Sequence, residues 1–259
     1  MGPAVSQALD FTGKSVLITG SSTGIGREAA LLFAEGGARV AVNSVSGRGE
    51  EVSASLLAQG HDAIFFQGDV ADAEIYGTLV QKTVKAFGRL DILVNNAGIV
   101  PTGTAPDTGE ADFDRAMAVN VRGTFFLSRY AIQQMRLQGG GTIINVGSVA
   151  GLIGPKNRAA YAATKGAVIS MTRAMAADHA KDHIRVNCVC PGMVLTDSLR
   201  ERINAFEDPG EAQRGFEAAI PQGRIGSARE AAMMILMAAS DSVAYMTGSI
   251  LTIDGGASL

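Results

Sequence analysis

Tyr161 and Lys165 stand four residues apart in Ala159-Ala160-Tyr161-Ala162-Ala163-Thr164-Lys165. This segment opens a run rich in Ala and Met that predicts a helix to about residue 179. Residues four apart share a helix face, so the phenol and the ammonium would lie side by side. A cation held beside a phenol favours the phenolate, which makes Tyr161 a candidate proton donor and acceptor near neutral pH. Such a pair also arises by chance. It takes its meaning from three further features: a phosphate-binding loop, a polar residue for a substrate oxygen, and a strand order that unites them.

The loop is found near the start of the chain. An apolar strand at 15–18 runs into Thr19-Gly20-Ser21-Ser22-Thr23-Gly24-Ile25-Gly26, ahead of a helix expected over about 27–34. Glycines at a strand-to-helix turn let the backbone approach a ligand, and the helix N-terminus offers unpaired N–H groups to a pyrophosphate. A dinucleotide is therefore expected here, although the Gly-x-x-x-Gly-x-Gly spacing alone also fits a plain tight turn. A second strand at 39–43 ends where the adenosine ribose would lie. An acidic residue there would hold the two ribose hydroxyls of NAD, but the chain has Ser44-Val45-Ser46-Gly47-Arg48. With no carboxylate to repel a 2'-phosphate, and two hydroxyls plus Arg48 to bind one, NADP(H) is favoured over NAD(H). The alternative is that Arg48 opens the next helix and faces solvent.

These residues need elements to position them. Helices at 50–58 and 72–87 alternate with strands at 63–67 and 92–94, which implies a parallel sheet covered on both faces, with ligands at the strand C-terminal ends. Asp69-Val70, after the third strand, could cap an adenine. Asn95-Asn96-Ala97-Gly98, after the fourth, would let a cofactor lie against the backbone. Helices are expected at 111–117 and 121–137 with Asn120 at their junction, where it could also be an ordinary polar helix residue. A fifth strand at 142–146 ends at Gly147-Ser148, and Ser148 could donate to a substrate oxygen or merely begin a turn. A sixth at 184–189 ends at Cys190-Pro191-Gly192. Residues 196–223 read as short charged helices broken by Pro209-Gly210 and Pro221, suited to a lid. A core helix at 228–239 and a strand at 249–253 follow.

The 259 residues, with no Pro/Ser-rich linker, fit one domain. A formal net charge of -3 without a basic cluster argues against nucleic acid or an anionic membrane and for a small-molecule substrate. No apolar run approaches the ~20 residues of a membrane span and no signal peptide is evident, so a cytoplasmic protein is expected. Residues 1–6 loosely fit a myristoylation pattern but read better as part of a flexible end over 1–10. Cys188 and Cys190 would share one face of a strand as reduced thiols. His179 and His183 could share a helix face, but no third ligand is in view and no metal is expected.

From about Phe11 to Leu259 the chain resembles the short-chain dehydrogenase/reductase family. The resemblance is carried by Thr19-Gly20-x-x-x-Gly24-Ile25-Gly26, Asn95-Asn96-Ala97-Gly98, Asn120, Ser148, Tyr161-x-x-x-Lys165, Pro191-Gly192 and Asp254-Gly255-Gly256, in family order and spacing. It implies a single-domain Rossmann-type doubly wound parallel α/β fold of about seven strands. It also implies a catalytic set in which Ser148 holds the substrate oxygen and Tyr161 transfers its proton. Lys165 would bind the nicotinamide ribose, and Asn120 would hold a relay water. Cofactor contacts would come from Gly20, Ser22, Thr23, Gly24, Ile25, Gly26, Ser44, Val45, Arg48, Asp69, Val70, Asn96, Ala97, Gly98, Pro191, Gly192, Val194 and Thr196. A homotetramer built partly on the helices at 121–137 and 159–179 is implied as well.

A narrower resemblance rests on Asn157-Arg158, the segment from Ile184 to Gly192, and Ser198-Leu199-Arg200-Glu201-Arg202-Ile203. These look like the branch of cytosolic 3-hydroxybutyrate dehydrogenases and bacterial sugar and deoxy sugar acid dehydrogenases. That branch holds a substrate carboxylate with arginines. Arg158 and Arg202 match two of them, Ala219 stands at a third, and Ser44 replaces the usual acidic residue. The first reading is an oxidoreductase interconverting an alcohol and a ketone on a sugar, sugar acid or hydroxy acid. The others are a 3-oxoacyl-thioester reductase and a dinucleotide-binding sensor without turnover.

Overall fold

The computed structural model describes residues 9–259. The pattern at 1–6, and most of the flexible segment expected over 1–10, lie outside the described residues. Runs such as Val16-Leu17-Ile18 are apolar at every position because the strand is buried on both faces. This strand, β1 (Ser15–Thr19), has every residue buried. It lies between β2 (Arg39–Ser44) and β4 (Ile92–Asn95) in a seven-stranded parallel sheet. The sheet has the order β3-β2-β1-β4-β5-β6-β9, where β3 is Ala63–Gln67, β5 Gly141–Val146, β6 Ile184–Pro191 and β9 Ile250–Ile253. The expected doubly wound fold is therefore present.

Alternate strand residues feed two cores. Val16, Ile18, Val40 and Val42 face α1 (Gly24–Glu35) and α9 (Ala228–Ala239). Leu17, Ala41, Leu93 and Ile143 face α3 (Ile75–Phe87), α5 (Thr124–Leu137) and α6 (Ala159–His179). The strand order changes direction between β1 and β4, and the crevice at their C-terminal ends is the ligand position in such sheets.

Several boundaries differ from the sequence expectations. Helix α1 begins at Gly24 and not at 27, taking in two of the turn's glycines, Gly24, which enters at φ 55°, and the buried Gly26. α3 begins at Ile75 and not at 72, since the Asp72 carboxylate accepts the Glu74 N–H at 3.0 Å in a local turn that competes with the helix. The helices expected at 111–117 and 121–137 are one continuous run, α4 (Glu110–Ala116), a π-helical segment Met117–Gly123, and α5. Pro209 does not break a helix. It opens α8 (Pro209–Ala218), where its missing N–H costs nothing, and Asp208 caps the Glu211 N–H at 2.9 Å. The region 196–223 holds α7 (Asp197–Asn204) and α8, hinged beside a short parallel pair, β7 (Val194–Leu195) and β8 (Gly226–Ser227), too brief to show a pattern. α6 ends at His179, and His183 lies beyond it with φ 57°, so the two rings do not share a helix face. α2 (Arg48–Ala58) starts two residues ahead of its expected position at 50.

One half-buried cation fastens the end of α9. Arg185 on β6 donates to the carbonyls of Ala238 (3.1 Å), Ala239 (2.8 Å), Ser240 (3.2 Å) and Met246 (3.1 Å). Burial holds its pKa below the usual guanidinium range. The carbonyls at a helix C-terminus attract this charge. Replacing Arg185 with Met would strand them, and with charged hydrogen bonds at ~1.5–3 kcal/mol each the loss should reach about 3 kcal/mol or more. Thermal unfolding should show a Tm about 6–12 °C lower. A Tm within a degree of wild type would refute the capping role.

Candidate active site

The glycine turn is shaped by close backbone approach. Gly20 has φ 62°, and a Cβ there would lie 2.7 Å from the Ala97 Cα, a contact that only glycine permits. A Cβ on Gly26 would sit 2.4 Å from both the Asn96 Nδ2 and the Gly20 carbonyl oxygen. Asn96 itself fastens the turn to the end of β4, donating to the Thr19 carbonyl (3.0 Å) and the Gly20 carbonyl (2.9 Å). Thr19 Oγ1 accepts the Asn96 and Ala97 N–H groups, both at 3.1 Å. Thr23 is the α1 N-cap but makes no side-chain cap bond. The first N–H groups of α1 therefore stay open toward the crevice, between the half-buried Ser22 and Ile25. A cradle of this form, too tight for any Cβ and lined by free N–H groups, fits a pyrophosphate.

The ends of β2 and β3 flank that cradle. Ser44 is buried and its hydroxyl donates to the Ser46 carbonyl at 2.6 Å. Val45 is 58% exposed. Arg48 is exposed in the first turn of α2, whose N-cap Gly47 provides no side-chain cap. Asp69 accepts the Ala71 N–H at 2.9 Å and pairs with Arg115 at 2.7 Å. Val70 is buried, with its carbonyl 2.6 Å from where a Cβ on Gly123 would stand, so glycine in the π segment admits it.

The residues expected to transfer protons lie just after β5 and in the first turns of α6. Ser148 caps a single 3-10 turn, accepting the Ala150 N–H at 3.1 Å, and its own proton has no acceptor among the described residues. Tyr161 lies half-buried in the first turn of α6, with its phenol oxygen likewise unpartnered among the described residues. Lys165 is one turn further, as the spacing requires. Its Nζ lies 5.8 Å from the Tyr161 ring centroid and donates to the Val146 carbonyl at 2.8 Å, tying α6 to β5. Asn120, 1% exposed in the π segment, pairs with both main-chain groups of Ile99, its Oδ1 accepting the N–H and its Nδ2 donating to the carbonyl, each at 2.9 Å. A Cβ on Gly98 would be 3.3 Å from the Asn120 Oδ1 and 3.5 Å from the Lys165 Nζ. The backbone after β4 is thus a wall shared by Asn120 and Lys165.

The two arginines approach from the rim. Asn157, at φ 57°, accepts the Gly103 N–H at 3.0 Å and turns the chain so that Arg158 precedes α6. Arg202 on α7 lies with its guanidinium 5.4 Å from the Phe216 ring centroid of α8. Burial first, and then the positive charge of Arg158, hold the Arg202 pKa below its ordinary value. Neither guanidinium is paired with a carboxylate among the described residues. Ala219 follows α8 directly. Gly192 donates its N–H to the Ile253 carbonyl at 2.9 Å, after the buried Pro191, and leads to the buried Val194. Thr196 caps the Leu199 N–H at 3.3 Å, and its Cγ2 is 3.1 Å from where a Cβ on Gly24 would be, so α7 starts against the glycine turn.

Phe216 and Thr164 join the site without having been marked by their residue types. Thr164 could have been found from its position three residues after Tyr161 on the same helix face. Cys188 and Cys190 are free, buried beneath Gly147 with their Sγ atoms 3.6 Å apart. The hydrogen bond from Cys188, and then burial, push the Cys190 thiol up.

A family model described as enoyl-(acyl carrier protein) reductase matches residues 20–258. An uncharacterized oxidoreductase of Thermotoga maritima is 50% identical over 250 residues, covering 96% of this chain and 98% of that protein. An L-rhamnose 1-dehydrogenase (NAD(P)(+)) of a Sphingomonas species is 40% identical over 248 residues, covering 94% and 96% respectively. The crystal structure of levodione reductase superposes with a TM-score of 0.92 at 33% identity, covering 96% of this chain and 98% of that one.

Proposed function

The chain belongs to the short-chain dehydrogenase/reductase family and is an NAD(P)-dependent oxidoreductase, and on that premise we propose that it interconverts an alcohol and a ketone on a small polar substrate bearing a carboxylate. The observation that carries the acidic substrate is that neither Arg158 nor Arg202 has a carboxylate partner among the described residues, while Arg158 is near enough for its charge to act on Arg202. A carboxylate between them would relieve their repulsion and accept charged hydrogen bonds from both sides.

In the proposed mechanism Ser148 donates its free proton to the substrate oxygen and fixes it beside Tyr161. The Tyr161 phenol oxygen takes the alcohol proton in oxidation and returns it in reduction. Lys165 keeps two N–H donors after its bond to Val146, and these are placed for the nicotinamide ribose. The α1 N-terminus and the turn from Gly20 to Gly26 would hold the pyrophosphate of the dinucleotide. Asp69 and Val70 would serve its adenine, and Asn96, Ala97, Gly98, Pro191, Gly192, Val194 and Thr196 would supply its remaining contacts. The nicotinamide, when bound, accepts or supplies the hydride. Residues 11–259 act as one catalytic domain with a lid at 196–223.

A second reading, reduction of a 3-oxoacyl thioester, is favoured by the description of the matching family model. An absorbance screen at 340 nm against hydroxy acids, sugar acids, neutral sugars and acetoacetyl thioesters separates the two, and turnover of the thioester alone would establish the second. For the first, Arg158→Ala should lower kcat/KM by tenfold or more on an acidic substrate while barely changing a neutral alcohol, whereas Tyr161→Phe should abolish turnover of both. Equal losses from Arg158→Ala on the two substrates would remove the carboxylate role.

NADP(H) is the preferred cofactor in this reading. Its support is the absence of a carboxylate at the end of β2, with Ser44 in its place, and the exposed Arg48 at an uncapped helix start. Because the Ser44 hydroxyl is engaged with Ser46, a 2'-phosphate would rely on Arg48, the Ser46 hydroxyl and the α2 N–H groups. Ser44→Asp should reverse the preference, read from the ratio of Kd values for the two cofactors. Wild-type protein that binds NAD tenfold more tightly would overturn the assignment.

The chain is further read as a homotetramer. On α5, Phe125 is 45% exposed and Leu137 84%, and Phe113 on α4 is 41% exposed, leaving apolar surface that association would cover. Light scattering should give four chain masses at micromolar concentration, and a monomer mass would reject the reading. No helix among the described residues is long and apolar enough to cross a membrane.

A further inference from the structure

We propose that Thr164 is a positioning residue, whose hydroxyl locks the catalytic helix to Asn120 and through it to the Ile99 backbone. The inference rests on the oxidoreductase reading above. Thr164 is 0% exposed and lies on α6 between Tyr161 and Lys165. Its Oγ1 donates to the Tyr161 carbonyl at 2.7 Å and accepts from the Asn120 Nδ2 at 3.0 Å.

The direction of these bonds follows from the groups themselves. A carbonyl only accepts, so the single hydroxyl proton of Thr164 must point at Tyr161, and only lone pairs face Asn120. The Asn120 amide must then present its NH2 side to Thr164. With that side settled, Oδ1 is left for the Ile99 N–H, while the second Nδ2 proton meets the Ile99 carbonyl, which matches the observed pairing. One hydroxyl therefore selects the amide orientation that lets Asn120 hold the wall at Gly98 and Ile99. That wall lies against the Lys165 ammonium, and the helix carrying Thr164 also carries Tyr161. Tyr161, Lys165 and the cofactor wall are kept in one register through a side chain that touches neither substrate nor cofactor. Shifts of about 1 Å in such a register can cost on the order of a hundredfold in rate.

The test compares Thr164→Val, which keeps the shape and removes the hydroxyl, with Thr164→Ser, which keeps the hydroxyl. Thr164→Val should lower kcat tenfold or more while the KM values for substrate and cofactor change less than threefold, and Thr164→Ser should stay within threefold of wild-type kcat. Exchange of the Ile99 amide hydrogen, followed on the ligand-free protein, should accelerate tenfold or more in the Val variant and stay slow in the Ser variant. If the Val protein does not fold, Thr164→Ala takes its place in the same comparison. A Val or Ala variant with kcat within twofold of wild type and slow Ile99 exchange would overturn the proposal, as would a Ser variant that loses as much as Val. Because the exchange readout needs no turnover, wild-type protein inactive on every substrate would defeat the oxidoreductase reading by itself, and unchanged Ile99 exchange would defeat this one.

Discussion

The site depends on a seam of buried side-chain hydrogen bonds that joins four elements beneath it. Asn95 at the end of β4 donates to Ser128 on α5 (2.9 Å) and to the Asn145 Oδ1 on β5 (2.8 Å), and Asn145 donates in turn to Thr172 on α6 (2.9 Å). Asn145, Ser128 and Thr172 are fully buried. An unpaired amide at such a depth costs about 1–3 kcal/mol. A sideways slip of any one element would break several of these bonds together, so the seam specifies a single register. Ser128 and Thr172 also donate back to carbonyls of their own helices, 2.7 Å to Thr124 and 2.8 Å to Val168, so the chain of donors ends without an orphan.

Above that seam the functional groups are placed by backbone more than by side chain. The Lys165 ammonium, buried at 5% exposure, donates to a carbonyl and not to a carboxylate. The glycine turn achieves its shape by omitting side chains, and Asn96 uses its amide to hold that shape. The rim is built differently. α8 has no buried residue, and the packing of the α7–α8 segment on itself runs through Phe206 and Phe216, with ring centroids 6.1 Å apart, and through Arg202 over Phe216. Few buried contacts mean a low local cost of opening.

Much of this was legible in the residues. The apolar run of β1, the glycine spacing, and the Tyr161 and Lys165 interval each follow from local rules. A strand buried on both faces must be apolar throughout, a close approach must lack Cβ atoms, and helical neighbours recur at four residues. Boundaries were less legible where two local preferences compete, as at Asp72, whose side chain forms a turn in place of the first helical turn, and at Pro209, which can end a helix or begin one.

What the sequence by itself determined was the fold class and the family, and it singled out Ser148, Tyr161 and Lys165 as candidates, because each is written in residue type and short spacing. Tertiary structure alone decided which partners those residues meet. The bonds of Asn120, in the π segment, to Ile99 and to the Thr164 hydroxyl, and the effect of the Arg158 charge on Arg202, join residues far apart in the chain. The pairing of polar groups across such distances depends on how the helices dock on the sheet, and no local spacing records it.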